Sequence, residues 1–368
     1  MRSHFSHEIQ FVKYRKVLFG ISIALVVAAI VGLIARGGVN LGVEFIGGTQ
    51  VSFNDTGAIT LSDMRQAFAD AGSGDASVQT TDSNGTQGFL VGTSETDPTE
   101  ASRIASDVAT SLGLASDSYT VTTIGPNWGA DVTRGSIVAF VVVIALIVVF
   151  VSWRYELKMS LMAVVSLLHV MIIVVGVYAW TRFEVTPNVV AALLTIMGFV
   201  LYDTVVVFNR VNEDIRTYRD ATHRTALQIT NLAENQVIIR SINTTLTSIM
   251  PVIAMLIFGG ETLKGFAFAM LIGLAFGAYS SIAIAAPLYA IWKGREPEWR
   301  RAEELYGEKA QLRAAAAGTT VEELAEADAS VADAGADEAA PEPATSHKPA
   351  ATAQKPKAPK KKNSGKVR

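Results

Sequence analysis

The sequence predicts an α-helical polytopic membrane protein with six transmembrane helices, one α+β ferredoxin-like (βαββαβ) exterior domain and a disordered C-terminal tail. Three observations carry that prediction. Half of the 368 residues are hydrophobic and gather in long blocks, the pattern of a chain that crosses a bilayer repeatedly. Residues 36–134, polar and acidic, separate the first block from the second. Beyond Arg313 the chain turns to Ala, Pro, Glu and Asp, and it closes on a Lys-rich stretch.

The first block, Val17–Ala35, follows a basic N-terminal segment, residues 1–16. Its 19 residues exceed the roughly 7–15 of a secretory signal core, and no small-residue cleavage site follows, so it reads as a retained anchor. Five more spans follow: Gly135–Ser152, Met159–Trp180, Pro187–Phe208, Ile242–Gly259 and Gly265–Trp292. The 22 residues from Pro187 to Phe208 make roughly 33 Å of helix, against a hydrocarbon core of about 30 Å. Trp153, Trp180 and Trp292 stand at span ends, where interfacial aromatics belong.

Basic residues give the orientation. Arg2, Lys13, Arg15 and Lys16 precede the first span, and Arg154 and Lys158 fill the turn after the second. Arg210, Arg216, Arg219 and Arg224 crowd the linker after the fourth, whereas the opposite turns hold only Arg182 and Lys264. Both termini are therefore expected in the cytoplasm. The chain has no cysteine, which rules out disulfides and thiol chemistry.

From Gly38 to Thr133 there are twelve Asp or Glu, two Arg and no Lys. Val43–Phe53 reads as a strand, and Leu61–Ala71 as a helix opened by Ser62 and Asp63. Ser77–Thr81 and Gly88–Thr93 read as strands around an Asn84-Gly85 turn. Thr99–Leu112 fits a helix and Tyr119–Ile124 a last strand, which completes the βαββαβ order. The carboxylates are spread along the segment and read as a solvated surface. Gly47-Gly48 reads as a turn that orients the exterior domain on the first span.

The linker 209–241 is polar and helix-permissive, with Ile215, Tyr218, Leu227 and Leu232 positioned to hold it against the membrane surface. Residues 293–368 leave the bilayer, and after about residue 313 they carry too little apolar surface to offset ordering entropy. Eight basic residues between Lys348 and Arg368 suit anionic lipid or ribosomal RNA, or simply solubility.

Asp203 lies inside the fourth span, and an ionisable residue at that depth marks a functional site by default, often for a proton or ion. Arg240 opens the fifth span at a compatible depth, so an ion pair between the two is expected, as a proton site or as a fixed structural pair. Below it Asn243, Thr244, Thr247 and Ser248 draw a polar stripe that lines a hydrated path or bonds a neighbouring helix. In the sixth span Gly273, Gly277, Ser281 and Ala285 repeat at four and suit close helix packing. His169 in the third span can titrate near neutral pH, and Pro251 in the fifth would kink its helix. A carboxylate that carries protons needs two environments, one desolvated and one beside a cation.

The segment Gly42-Val43-Glu44-Phe45-Ile46-Gly47-Gly48-Thr49 resembles the Gly-x-Asp-Phe-x-Gly-Gly-Thr signature of the SecD/SecF family. Asp203-Thr204-Val205-Val206-Val207-Phe208-Asn209-Arg210 resembles the fourth-span motif of its SecF branch, and Arg240-Ser241-Ile242-Asn243-Thr244-Thr245-Leu246-Thr247-Ser248 the fifth-span motif. Phe258-Gly259-Gly260 and Gly277-Ala278-Tyr279-Ser280-Ser281 fall in register, and the resemblance covers roughly residues 10–295. It implies an accessory subunit of the bacterial Sec translocase, in the plasma membrane, that pairs with a SecD-like six-span chain. It further implies association with the SecYEG channel and proton-driven movement that helps pull an exported unfolded polypeptide outward.

The same resemblance places the membrane acid and its arginine at Asp203 and Arg240, and the exterior signature at Glu44, Phe45, Gly47, Gly48 and Thr49. Two positions depart from the pattern: Glu44 replaces the usual Asp, and Asn209 stands where the family often has Asp. Alternatives are a proton-coupled small-molecule or lipid exporter of the same resistance-nodulation-division superfamily, or a passive translocon scaffold. No paired carboxylates, nucleophile with base or metal-ligand spacing occurs in the spans, so no enzyme, cofactor or metal site is expected.

Overall fold

The computed structural model describes residues 9–323 apart from 12, 55, 75, 84–85, 116–117, 219–223 and 322. Arg2, Arg219, the Asn84-Gly85 turn and the Lys-rich tail with its proposed lipid or ribosome contacts lie outside the described residues. The first crossing is α1 (Arg15–Ala35), followed by a short strand β1 (Asn40–Leu41) and a single helical turn α2 (Val43–Ile46). The exterior elements are β2 (Gly48–Phe53), α3 (Leu61–Asp70), β3 (Ser77–Ser83), β4 (Thr86–Thr93), α4 (Pro98–Ser111) and β5 (Tyr119–Ile124).

Four of these strands form one antiparallel sheet in the order β3-β4-β2-β5. Its inward residues Val51, Phe53, Phe89 and Val91 pack on Met64 and Phe68 of α3 and on Ile104 and Val108 of α4. Each of the three phenylalanines is fully buried, a contribution of about 2–3 kcal/mol apiece. Both helices are capped by sequence. The Thr60 hydroxyl accepts from the Asp63 N–H at 3.3 Å while Asp63 accepts from the Thr60 N–H at 2.9 Å, a reciprocal box. Asp97 accepts from Thr99 N–H at 2.8 Å ahead of Pro98.

Two expectations change here. The strand predicted over Val43–Phe53 is broken: its first four residues are helical, and Gly47 and Gly48 take φ of +77° and +125°. Only glycine enters such conformations without strain, so the pair turns the chain from helix into strand. The cap of α3 is Thr60, not Ser62, because Thr60 has the extended backbone of an N-cap.

The chain re-enters the helical part as α5 (Pro126–Arg154), then α6 (Leu157–Thr181), a short strand β6 (Glu184–Val185), α7 (Pro187–Tyr218) and α8 (Ala226–Phe258). The sixth crossing is α9 (Glu261–Ser280), a π turn (Ser281–Ala285) and α10 (Ala286–Lys293), followed outside by α11 (Pro297–Tyr306) and α12 (Glu308–Ala317). Among the described residues, six helices are long and apolar enough to cross a membrane. α6 and the sixth crossing are half or more buried by their neighbours, whereas α1, α5 and α8 are mostly uncovered.

The linker after the fourth span is not a surface segment. α7 and α8 run on as helices, and their polar extensions bury Val211, Ile215, Ile229 and Ala233 in a second core with Tyr289 and Trp299. Thr225 and Gln228 form another reciprocal cap that starts α8. α8 continues through Pro251 as one helix. Below the crossings Lys293 bonds Glu156 at 2.8 Å and Glu296 at 3.1 Å, and Lys158 bonds Glu296 at 2.7 Å. That cluster ties the α5–α6 turn to the exit of the sixth crossing.

Candidate functional site

Asp203 is carried on α7, half-buried against α8. Ser241 Oγ donates to Asp203 Oδ1 at 2.6 Å, and Oδ2 is buried with no hydrogen-bond partner. Tyr202, Thr244, Thr245, Ser248 and Gly277 line a small groove beside the carboxyl. The site is therefore a carboxyl bonded by the Ser241 hydroxyl, with the Ser281 hydroxyl beside it and its second oxygen without a hydrogen-bond partner among the described residues.

The expected Asp203–Arg240 ion pair is not formed. Arg240 is exposed, and its guanidinium reaches the Tyr202 hydroxyl at 3.4 Å. Neighbouring residues on a helix point about 100° apart. With Ser241 turned to α7, Arg240 is turned to the flank. The polar stripe divides for the same reason: Thr244 and Ser248 line the groove, while Asn243 and Thr247 lie on the exposed side, where Thr247 Oγ1 donates to the Asn243 carbonyl at 2.9 Å.

Behind Asp203 lies a hydroxyl cluster of which the sequence singled out only Ser281, as a residue for close helix packing. Thr204 and Ser281 share a 2.8 Å hydrogen bond, and Ser166 and Ser280 another at 2.8 Å. Ser281 also donates to the Gly277 carbonyl at 3.1 Å, at the point where the sixth crossing changes from α to π winding. π turns within helices are frequent at functional sites. Above it the Gly273 and Gly277 positions seat α9 on α7: a Cβ on Gly273 would overlap Ile196, and one on Gly277 would stand 2.6 Å from Val200 Cγ2. His169 is buried on α6 with its ring 6.3 Å from Tyr279, which donates to the Leu18 carbonyl of α1.

The exterior signature forms a joint. β1 pairs in parallel with β6, Asn40 opposite Glu184 and Leu41 opposite Val185, so the start of the exterior segment is stitched to the α6–α7 turn. Thr49 Oγ1 donates to the Glu95 carbonyl and shares a bond with Thr123, both at 2.8 Å. A Cβ on Gly129 would stand 2.5 Å from the Phe45 carbonyl oxygen, which seats α2 on the start of α5. Asn209, the second departure, is exposed.

Glu44, the first departure, converges with Glu184 over Gly42, whose Cβ would overlap Glu44 Oε2 and stand 3.0 Å from Glu184 Oε1. Gln79 donates to Glu184 Oε2 at 3.2 Å. Burial, with the nearby Glu44 carboxylate adding to it, pushes the Glu184 carboxyl up to about 7 from its ordinary 4.5. The unfolded chain thus ionises Glu184 first as pH rises, and the joint loses roughly 3 kcal/mol through that window. Thermal unfolding of the purified protein is expected to shift to lower temperature between about pH 5 and pH 7.5, and Glu184→Gln is expected to flatten the slope. An unchanged slope in the variant would show that Glu184 does not set it.

A family model described as Protein export membrane protein SecD/SecF, C-terminal, matches residues 105–295. The chain belongs to the SecD/SecF family. Protein translocase subunit SecF of Streptomyces coelicolor is 35% identical over 337 residues, which is 90% of this chain and 88% of that protein. Protein translocase subunit SecF of Mycobacterium tuberculosis is 33% identical over 76% of this chain and 66% of its own length. The crystal structure of SecDF, a translocon-associated membrane protein from Thermus thermophilus, matches with a TM-score of 0.71 at 26% identity, over 79% of this chain and 39% of that chain. This SecD/SecF chain therefore spans about two-fifths of that solved SecDF chain. With six crossings it is a multi-pass membrane member of the family.

Proposed function

We propose that this chain serves as the SecF-type accessory subunit of a Sec translocase and couples the proton motive force to late steps of export. The observation that carries the reading is Asp203, a membrane carboxyl with one oxygen bonded to Ser241 and the other unpartnered. A proton carrier alternates between two environments: the Ser241-bonded one described above, and one in which Arg240, the adjacent residue on α8, comes to face the carboxyl. The hydroxyl cluster and the π turn stand next to that switch.

The chain sits in the bacterial plasma membrane with both termini cytoplasmic, as the excess of basic residues at the α5–α6 turn and after α7 supports. The sheet order β3-β4-β2-β5 with two helices supports a ferredoxin-like reading of the exterior domain, residues 36–134. α8 leaves Arg240, Asn243 and Thr247 exposed on its flank. Facing lipid they would be costly, which supports a protein partner on that side. The Bacillus subtilis relative is named Protein translocase subunit SecDF, and this chain aligns with only 38% of it, which leaves room in such fusions for a SecD-like half. The partner is a SecD-like six-span chain, with the SecYEG channel and an exported polypeptide completing the assembly.

The reading is tested by reporter export into proteoliposomes that carry this chain, its SecD-like partner and the channel. Export is expected to accelerate when a proton gradient is imposed and to lose that increment when an ionophore collapses it. Export indifferent to the gradient would overturn proton coupling.

A further inference from the structure

Glu234 lies on α8 seven residues before Ser241. At 100° per residue the two side chains fall within about 20° of each other around the axis, and they are separated by roughly 10 Å along it. Ser241 is the residue that bonds Asp203. Glu234 and Ser241 are both buried, Glu234 at 0% exposure, and Thr230, Ala233 and Val237 share their face. Among the described residues, neither Oε1 nor Oε2 of Glu234 has a hydrogen-bond partner.

Among the described residues, the charged groups of α6, α7 and α10 on this side are bonded to one another or to neighbouring carboxylates, and Arg300 of α11 pairs with Glu304. On α7, Arg210 bonds Asp214 at 3.1 Å and Glu213 at 2.7 Å. On α10, Lys293 is taken by Glu156 and Glu296. On α6, Lys158 bonds Glu296. On α9, Lys264 lies at the opposite end of the crossing. A carboxylate anion buried without a counter-charge or donor is expensive, whereas the neutral acid costs no more than another buried polar group. A site of this kind holds a proton at rest and gives it up only when water reaches it.

We propose that Glu234 is a second proton-carrying carboxyl, which accepts the proton released by Asp203 and passes it to the face of the membrane where Arg210 and Lys293 lie. The inference rests on the proton-coupled reading of Asp203. In each cycle water admitted at that face removes the Glu234 proton. The Asp203 acid then loses its proton through intervening water to the Glu234 carboxylate, so that one O–H bond breaks at Asp203 and one forms at Glu234. Asp214, buried and bonded to the Arg210 guanidinium at 3.1 Å, lies on the α7 face eleven residues after Asp203 and therefore close to the same angular position. It serves as the charged landing point at the exit.

The test uses the full chain with its SecD-like partner and channel in proteoliposomes. Glu234→Gln, which keeps size and removes the proton, is expected to cut gradient-dependent export at least fivefold with normal partner co-purification, and Glu234→Asp to restore part of it. Wild-type-like export by Glu234→Gln overturns the proposal. If Asp203→Asn also leaves gradient-dependent export intact, the proton-coupled reading itself fails. If Asp203→Asn abolishes it while Glu234→Gln does not, only the role of Glu234 fails. Labelling of the wild-type complex by dicyclohexylcarbodiimide, read by peptide mass, decides even where the variant fails to accumulate. Modification of Glu234 that changes at least threefold when the gradient is imposed supports the proposal, and modification indifferent to the gradient, or none, overturns it.

Discussion

Asp203→Asn is expected to remove the response of export to a proton gradient while leaving the chain folded and bound to its partner. The amide keeps an oxygen that accepts from Ser241, whose 2.6 Å bond is the described tie between α7 and α8 at this carboxyl. It loses the capacity to bind and release a proton. Each proton supplies about 2.3 kcal/mol per 100 mV, a roughly 50-fold bias on any step it drives. Export by the variant with a gradient should therefore fall to the level of wild type without one. Ser241→Ala, which removes a donor and keeps the acid, should weaken the response only severalfold. Reduced co-purification of the partner by Asp203→Asn at normal abundance would instead mark the acid as structural, the passive-scaffold alternative.

Gly48→Ala is expected to destabilise the exterior domain strongly. Gly48 begins the central strand β2 at φ +125°, and a Cβ there would overlap the Thr93 carbonyl oxygen of β4. Strain in that region of backbone space and a backbone collision with the neighbouring strand β4 add to about 3 kcal/mol or more. Against a domain stability of roughly 5–15 kcal/mol, that lowers the melting temperature by more than about 10 °C. Gly92→Ala is the matched control, since its nearest neighbour is Val43 Cγ1 at 3.5 Å, an ordinary contact. Proteolysis of the purified protein along a temperature ramp measures both. Equal melting of the two variants would show that the Gly47–Gly48 turn is more plastic than its geometry implies.

The spans were legible because a bilayer imposes one length on every crossing, and α1 and α6 end within a few residues of the predicted bounds. The exterior order was legible because turns and alternation punctuate it. The helix at Val43–Ile46 was not, since its apolar alternation suits a strand and only the paired glycines hint at a break. The extensions of α7 and α8 were hidden because their sequences are polar, and tertiary burial of Ile215, Ile229 and Trp299 decides their state. At the site, Asp203 was evident from cost alone. Its partner was misassigned because composition does not fix the rotation of α8, and one residue of rotation separates Arg240 from Ser241. The hydroxyls of Ser166, Thr204 and Ser280 gave no signal above ordinary helix packing, although the period-four spacing of Gly277 and Ser281 pointed to the same seam.

The π turn at Ser281–Ala285 divides the sixth crossing into two lengths with different phase. Its i→i+5 winding stores one surplus residue. Relaxing that residue into α winding would advance every side chain from Ala286 to Lys293 by about 100° around and 1.5 Å along the axis, while Gly273 and Gly277 stayed seated on α7. Tyr289 would leave its place beside Phe208, 5.7 Å away, and Lys293 would leave Glu156. The crossing is thus a rod with two registers, and the boundary between them is the residue bonded to Thr204. A rearrangement at the residue next to Asp203 would thereby turn Tyr289 and Lys293 together, a single-residue ratchet along α10.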